Sequence, residues 1–252
     1  MSPPFFPEIL AEEPLDVVAV GAHPDDVEIA CGGTLARLAE LGYRVGIIDL
    51  TDGEPTPGSP GPEVRLKEAA MAARELGVSI RETLDLPNRH LIDSIESRTT
   101  LAKVLRRWRP RIVLGFGEKT PHASPDHWQA MQITEAAIFY SRLTKWDERF
   151  DGLPPHRIDQ LLYYRIALEH QFPLPGTSEF VMDIGTQLER KLRAIACYAT
   201  QFPDSKRHVF ERVRAAALQA GHRAGFAAGE VFASPRTLGV TDFARSDGVF
   251  RF

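Results

Sequence analysis

The stretch Val17 to Glu28, VVAVGAHPDDVE, narrows the choice of fold more than any other part of the chain. Val17, Val18, Ala19 and Val20 make a short, β-rich apolar run ended by Gly21, the pattern of a buried parallel strand. Pro24 has the fixed φ that suits the first turn of a helix, so Asp25 and Asp26 fall in that turn. Carboxylates are favoured there because the unpaired N–H groups and the helix dipole stabilise negative charge. His23 then stands at the carboxyl end of the strand, where open α/β sheets hold their ligands.

His23 and Asp26 face each other across this strand-to-helix turn. An imidazole and a carboxylate so placed can converge on one cation and leave Asp25 free to take a proton. Three protein ligands and a water form the usual catalytic zinc arrangement. The third ligand is sought in Pro125-Asp126-His127, which follows another apolar strand, Ile112 to Phe116. An isolated His-Pro-Asp-Asp is equally readable as a capped helix start, since Asp is common there. Two His/Asp clusters, each just after a predicted parallel strand, favour the metal. A serine triad has no support, because no Gly-x-Ser-x-Gly elbow is present. Gly-Ala-His-Pro-Asp-Asp also stands where a nucleotide-binding unit would carry Gly-x-Gly-x-x-Gly.

At these residues the chain resembles the PIG-L/LmbE family of zinc-dependent sugar de-N-acetylases, over roughly residues 15 to 235. The family's A-H-P-D-D signature stands as Ala22-His23-Pro24-Asp25-Asp26, and its H-P-D-H signature as Ser124-Pro125-Asp126-His127. Asp49 to Glu54, Glu63 to Ala69 and Leu86-Pro87 are similar to the branch that deacetylates N-acetylglucosaminyl-malate in bacillithiol biosynthesis. The resemblance implies a Rossmann-like, mostly parallel sheet flanked by helices, with the active site at the carboxyl ends of the strands. It implies Zn2+ held by His23, Asp26 and His127, with Asp25 as the base that takes a proton from water. Acetate and a free sugar amine would leave from an N-acetylated amino-sugar conjugate. It brings Arg65 to the site, to hold a sugar hydroxyl or a carboxylate, where the residues alone read as a solvated helix arginine. Tyr198, in a Tyr-x-x-Gln similar to the family's, is implied as a substrate contact, and by default is a buried helix-end tyrosine.

The second signature departs from the family at one position. Ser124 replaces a His that stabilises the oxyanion and is oriented by the Asp two residues later, here Asp126. A serine donates one neutral hydrogen bond and carries no charge, so stabilisation there is weaker or comes from another group. His122 is the nearest substitute, and equally a loop-surface histidine. The departure keeps open a second function, a non-catalytic sugar- or metal-binding homologue that lost turnover. Ligand type favours zinc, and such a site also accepts iron or cobalt.

The rest of the composition removes alternatives. A chain of 252 residues with 43% hydrophobic and 25% charged residues suits one soluble α/β domain. A net charge of −4 with no basic stripe argues against nucleic acid. Cys31 and Cys197 stand alone and are expected to be reduced in a cytoplasmic protein. The start, MSPPFFPEILAEEP, lacks the pattern of a signal peptide, and no run approaches the ~18 apolar residues of a membrane span. Residues 1–14 read as an arm, 15–235 as the domain and 236–252 as a tail; Phe5, Phe6 and Ile9 on the arm favour a homo-oligomer.

Further elements follow in order. A helix runs to about Leu41, and Gly32-Gly33 within it signals either close backbone packing or a helix broken in two. Strands are expected at Tyr43 to Leu50, Thr83 to Leu86, Gln160 to Ala167 and Phe180 to Asp183, and helices at Glu63 to Gly77, Arg98 to Trp108, Trp128 to Tyr140, Ile184 to Tyr198 and Val209 to Gly229. Asp49 serves either the site or its strand end.

Overall fold

The fold is that of a computed structural model describing residues 13–166, 176–240 and 250–251. All five residues of β1 (Val17–Gly21) are buried, as a run of Val and Ala requires when both faces of a strand are covered. The chain continues through α1 (Asp26–Glu40), β2 (Val45–Asp49), α2 (Pro62–Leu76), β3 (Ile80–Thr83), α3 (Ile95–Trp108), β4 (Ile112–Phe116) and α4 (Asp126–Ser141). After these come β5 (Gln160–Tyr164), β6 (Ser178–Asp183), α5 (Leu188–Ala196), α6 (His208–Ala224) and β7 (Gly229–Ser234), with a small ribbon of β8 (Gly239–Val240) and β9 (Phe250–Arg251). Local chemistry sets many of the ends. Pro62 opens α2 and Gly77, at φ +76, closes it, while Ser94 and Ser97 form a reciprocal cap on α3.

Seven strands make one sheet in the order β3-β2-β1-β4-β5-β7-β6. The first five are parallel, and β7 runs antiparallel to both β5 and β6. The chain moves outward from β1 through β2 to β3, then restarts at β4 on the other side of β1. The loops after β1 and β4 therefore diverge at a topological switch point, where open sheets of this kind form a crevice. The helices α1, α2 and α5 pack together, as do α3 and α4, so the sheet lies between two helical layers. The expected Rossmann-like, mostly parallel architecture is the one observed.

Several element bounds differ from expectation. β3 lies earlier, at Ile80–Thr83, because Arg81 is buried by an ion pair that its residue type does not announce. The last helix stops at Ala224, where Gly225 takes the left-handed conformation, and the unexpected strand β7 follows. Residues 1–12 of the expected arm, residues 241–249 and 252 of the expected tail, and Ala167 at the end of an expected strand lie outside the described residues.

Both readings of Gly32-Gly33 hold. α1 is broken at Cys31, whose φ of −136 and ψ of 20 are not helical. The second half starts afresh, and the N–H groups of Gly33 and Thr34 donate to the Glu230 carboxylate of β7 at 3.0 and 2.7 Å. A Cβ on Gly33 would meet Ile184 Cδ1 at 2.7 Å, so the packing is close as well. Lys191 of α5 completes this joint, its Nζ lying 2.6 Å from Glu230 Oε1 with both side chains buried. Removing one partner of a buried pair strands the other charge, so Lys191→Met is expected to lose roughly 3–5 kcal/mol of unfolding free energy. Urea unfolding of variant and parent measures it; a loss under about 1 kcal/mol, the size of a surface pair, would show that the Lys191 charge is not needed.

Candidate metal centre and active site

β1 and β4 are hydrogen-bonded neighbours, with Val17 opposite Ile112 and Ala19 opposite Leu114. The turn after β1 carries His23 and Asp26, and the loop after β4 leads to Asp126 and His127 at the start of α4. One ligand atom from each of His23, Asp26 and His127 lies within 4.8 Å of the others. Asp26 is fixed from behind, since its Oδ2 accepts the N–H groups of Ala22 at 3.0 Å and His23 at 2.8 Å. Its oxygens face both rings, with Oδ1 3.2 Å from His127 Nε2 and Oδ2 3.4 Å from His23 Nδ1.

Each imidazole is also anchored through its other nitrogen. His127 Nδ1 lies 2.8 Å from Thr120 Oγ1, and its ring stacks on Phe116 at 4.6 Å between centroids. His23 Nε2 lies 3.2 Å from Asp126 Oδ2, an oxygen that also accepts the N–H of Arg89 at 2.7 Å. Partners of this kind set the tautomer and aim of a metal-binding histidine.

The electrostatics describe a cation site. Burial works against charge on His23, but Asp26, Asp126 and Asp25 outweigh it and push the ring up to about 10. Burial likewise raises Asp26, and the imidazoles of His127 and His23 overcome this and hold it well below the usual carboxylate range. Asp126 is held low because its hydrogen bonds from His23 and the backbone of Arg89 and Leu91 exceed the effect of burial. His23 thus faces a concentration of carboxylate charge from Asp26, Asp126 and Asp25, a setting that suits a divalent cation. Two imidazole nitrogens and a carboxylate oxygen are a donor set that fits zinc.

Asp25 is the one acid of the turn directed elsewhere. Its φ of 119 is a left-handed value that a residue with a Cβ adopts only under constraint. Its Oδ2 lies 3.1 Å from Arg65 Nη2. Burial pushes Asp25 up to about 7 against the pull of Arg65. Arg65 is itself buried and donates to the Pro24 carbonyl, while its Nε and Nη1 have no hydrogen-bond partner among the described residues. Buried donors are nearly always satisfied, so these two enclosed N–H groups are an exception at the edge of the site.

Tyr198 lies beneath, fully buried, with the Arg65 guanidinium 5.4 Å from its ring centroid. Its hydroxyl donates to Glu28 Oε1 at 2.8 Å, so the residue implied as a substrate contact is placed against Arg65 and Glu28. Glu28 belongs to a buried charge network with Arg81, which also grips Asp49 at 2.8 and 2.9 Å. Asp49 therefore serves its strand end. Ser124 accepts the Asp126 N–H at 3.2 Å, a local bond two residues along the chain, ahead of the Pro125 that caps α4. Asp126 is turned to His23 and Arg89, where the motif implied that it would orient the group at position 124. His122 is exposed and forms no hydrogen bond with a described residue. Thr120, Arg89 and Arg81 carry no signal in the sequence: none belongs to a signature, and Arg89 and Arg81 act on residues more than 30 positions away, while Thr120 reaches His127 within one loop.

Comparison with known proteins agrees with this geometry. The chain is 31% identical over 221 residues to the diacetylchitobiose deacetylase of Thermococcus kodakarensis, covering 83% of this chain and 79% of that one. The chain belongs to the PIG-L family. The family model, described as GlcNAc-PI de-N-acetylase, matches residues 18–138. The solved structure of the conserved protein TT1542 from Thermus thermophilus superposes with a TM-score of 0.80 at 34% identity, covering 92% of this chain and 100% of that one. The 4-oxalmesaconate hydratase of Pseudomonas putida is 29% identical over 220 residues, 82% of this chain and 80% of that one. The likeness to the deacetylase relative, together with the cluster of His23, Asp26 and His127, makes the chain an enzyme of the metal-dependent, amide-hydrolysing type.

A metal titration of chelator-treated protein is expected to saturate at one zinc per chain and to fail in Asp26→Asn. Asp126→Asn and Thr120→Val, which release one imidazole each, are expected to weaken the metal about 10–100-fold. Unchanged affinity in both would mean that the rings need no anchoring.

Proposed function

We propose that the protein removes the acetyl group from an N-acetylglucosamine conjugate by zinc-dependent hydrolysis, giving acetate and the free amine. The observation that carries this reading is the convergence of His23, Asp26 and His127 beside a carboxylate, Asp25, that binds none of them and is turned toward Arg65. The name of the Thermococcus relative supports an N-acetylated amino sugar as substrate. N-acetylglucosaminyl-malate, the bacillithiol precursor, is the conjugate we favour, on the likeness of residues 49–54, 63–69 and 86–87 to that branch; diacetylchitobiose is the competitor.

In this reading His23, Asp26 and His127 hold the metal. A bound divalent cation supplies Lewis acidity, polarising the carbonyl and acidifying water. Asp25, poised near neutrality, accepts the proton of the attacking water and is then the nearest acid for the departing amine. Arg65 fixes Asp25 and holds a sugar hydroxyl or carboxylate once substrate rearranges its enclosed surroundings. The Ser124 hydroxyl, or His122 brought in from its exposed loop, supplies the additional donor for the tetrahedral oxyanion. Free thiols at Cys31 and Cys197 suit a cytoplasmic enzyme, no helix among the described residues is long and apolar enough to cross a membrane, and a homo-oligomer is part of the proposal.

Acetate release from N-acetylglucosaminyl-malate and diacetylchitobiose by zinc-loaded protein tests the reading. Turnover is expected, with Asp25→Ala reducing kcat about 10²–10⁴-fold while the metal is retained. Absence of acetate with one zinc bound would overturn it. Turnover appearing only in Ser124→His would instead support a homologue that lost activity, and hydration of an unsaturated dicarboxylate would move the chain toward the hydratase relative.

A further inference from the structure

The loop after β3 is held down at three points. Arg89 gives its backbone N–H to Asp126 Oδ2 at 2.7 Å. The Asp93 N–H donates to Gln129 Oε1 at 2.7 Å, and the Asp93 carboxylate takes two bonds from Arg98 at 2.6 and 2.5 Å. Leu91 is buried. At the tip of this pinned loop Arg89 has a φ of 63, a left-handed conformation that glycine or asparagine would adopt more readily. The chain nevertheless has an arginine there, exposed, whose guanidinium makes no hydrogen bond or ion pair with a described residue. Its backbone nitrogen shares Asp126 Oδ2 with His23 Nε2, so the side chain starts one carboxylate away from a proposed metal ligand.

These features together describe a charge presented on purpose-built support. A guanidinium is always charged, and its planar fork matches carboxylate or phosphate oxygens through paired bonds. Because the loop is already ordered, binding loses little backbone freedom. Arg65 differs, being buried and engaged with Asp25.

We infer that Arg89 forms an anion subsite at the edge of the active site, selecting amino-sugar conjugates whose aglycone carries a carboxylate or phosphate. The inference rests on the deacetylase reading and deepens it from sugar to aglycone.

The test is the ratio of kcat/KM for N-acetylglucosaminyl-malate over neutral diacetylchitobiose, with N-acetylglucosamine 1-phosphate as the phosphate arm, in parent, Arg89→Gln, Arg89→Lys and His90→Ala. The parent is expected to prefer an anionic conjugate, and the better of the two anions identifies the group. Arg89→Gln is expected to lower the ratio about tenfold or more through KM, as loss of a charge-assisted bond implies. Arg89→Lys keeps part of the preference, and His90→Ala keeps the parent's ratio. A parent without preference, or an Arg89→Gln that loses both classes of substrate equally, would overturn the subsite while leaving the deacetylase reading intact. No acetate from any of the three conjugates would overturn both.

Discussion

The carboxylate of Asp26 is the joint on which the site turns. Backbone N–H groups of Ala22 and His23 hold one oxygen, and the other is left facing His127. A side chain fixed by main chain can serve as a rigid ruler between two histidines. The second histidine arrives because β4 lies next to β1, and neighbouring strands are about 4.8 Å apart. The sheet thus starts the two loops side by side, and the start of α4 then carries His127 to the candidate ligands of the β1 turn. The switch point adds room, since the loops after β1 and β4 turn to opposite layers and leave the crevice between them open.

Beneath this cluster the protein buries an unusual amount of charge. Glu28, Arg81 and Asp49 lie on the side of the site, and Lys191 with Glu230 on the far side of the break in α1. Buried ion pairs are poor sources of net stability, since desolvation consumes most of the attraction. Their effect here is geometric. One network grips the first half of α1, the other begins the second half, and the bend at Cys31 is the angle at which both are satisfied.

The sequence makes the local parts of this design legible. A strand that ends in His-Pro-Asp-Asp declares its own turn, and a second His/Asp cluster after a second apolar strand declares the partner. Register and long-range charge are less visible. Arg81 conceals β3, because a charged residue in a short strand reads as surface until Asp49 and Glu28 are placed around it. Glu230 conceals β7 for the same reason. The partners of Asp126 could not be read from position 124, since spacing along the chain names the nearest candidate, while the fold supplies His23, 103 residues away, and Arg89 from a different loop. Tyr198 was visible as a motif, but its hydroxyl is claimed by Glu28 from α1.

The cap that Glu230 places on the second half of α1 links positions 197 residues apart. During synthesis the signature turn emerges early, followed by a helix whose break cannot be closed until β7 exists. Until then the N–H groups of Gly33 and Thr34 lack this acceptor. The turn that carries Asp25 and Asp26 is thus joined, through α1, to a strand made near the end of the described chain, so a contact of high sequence separation helps to set the path of the helix behind it.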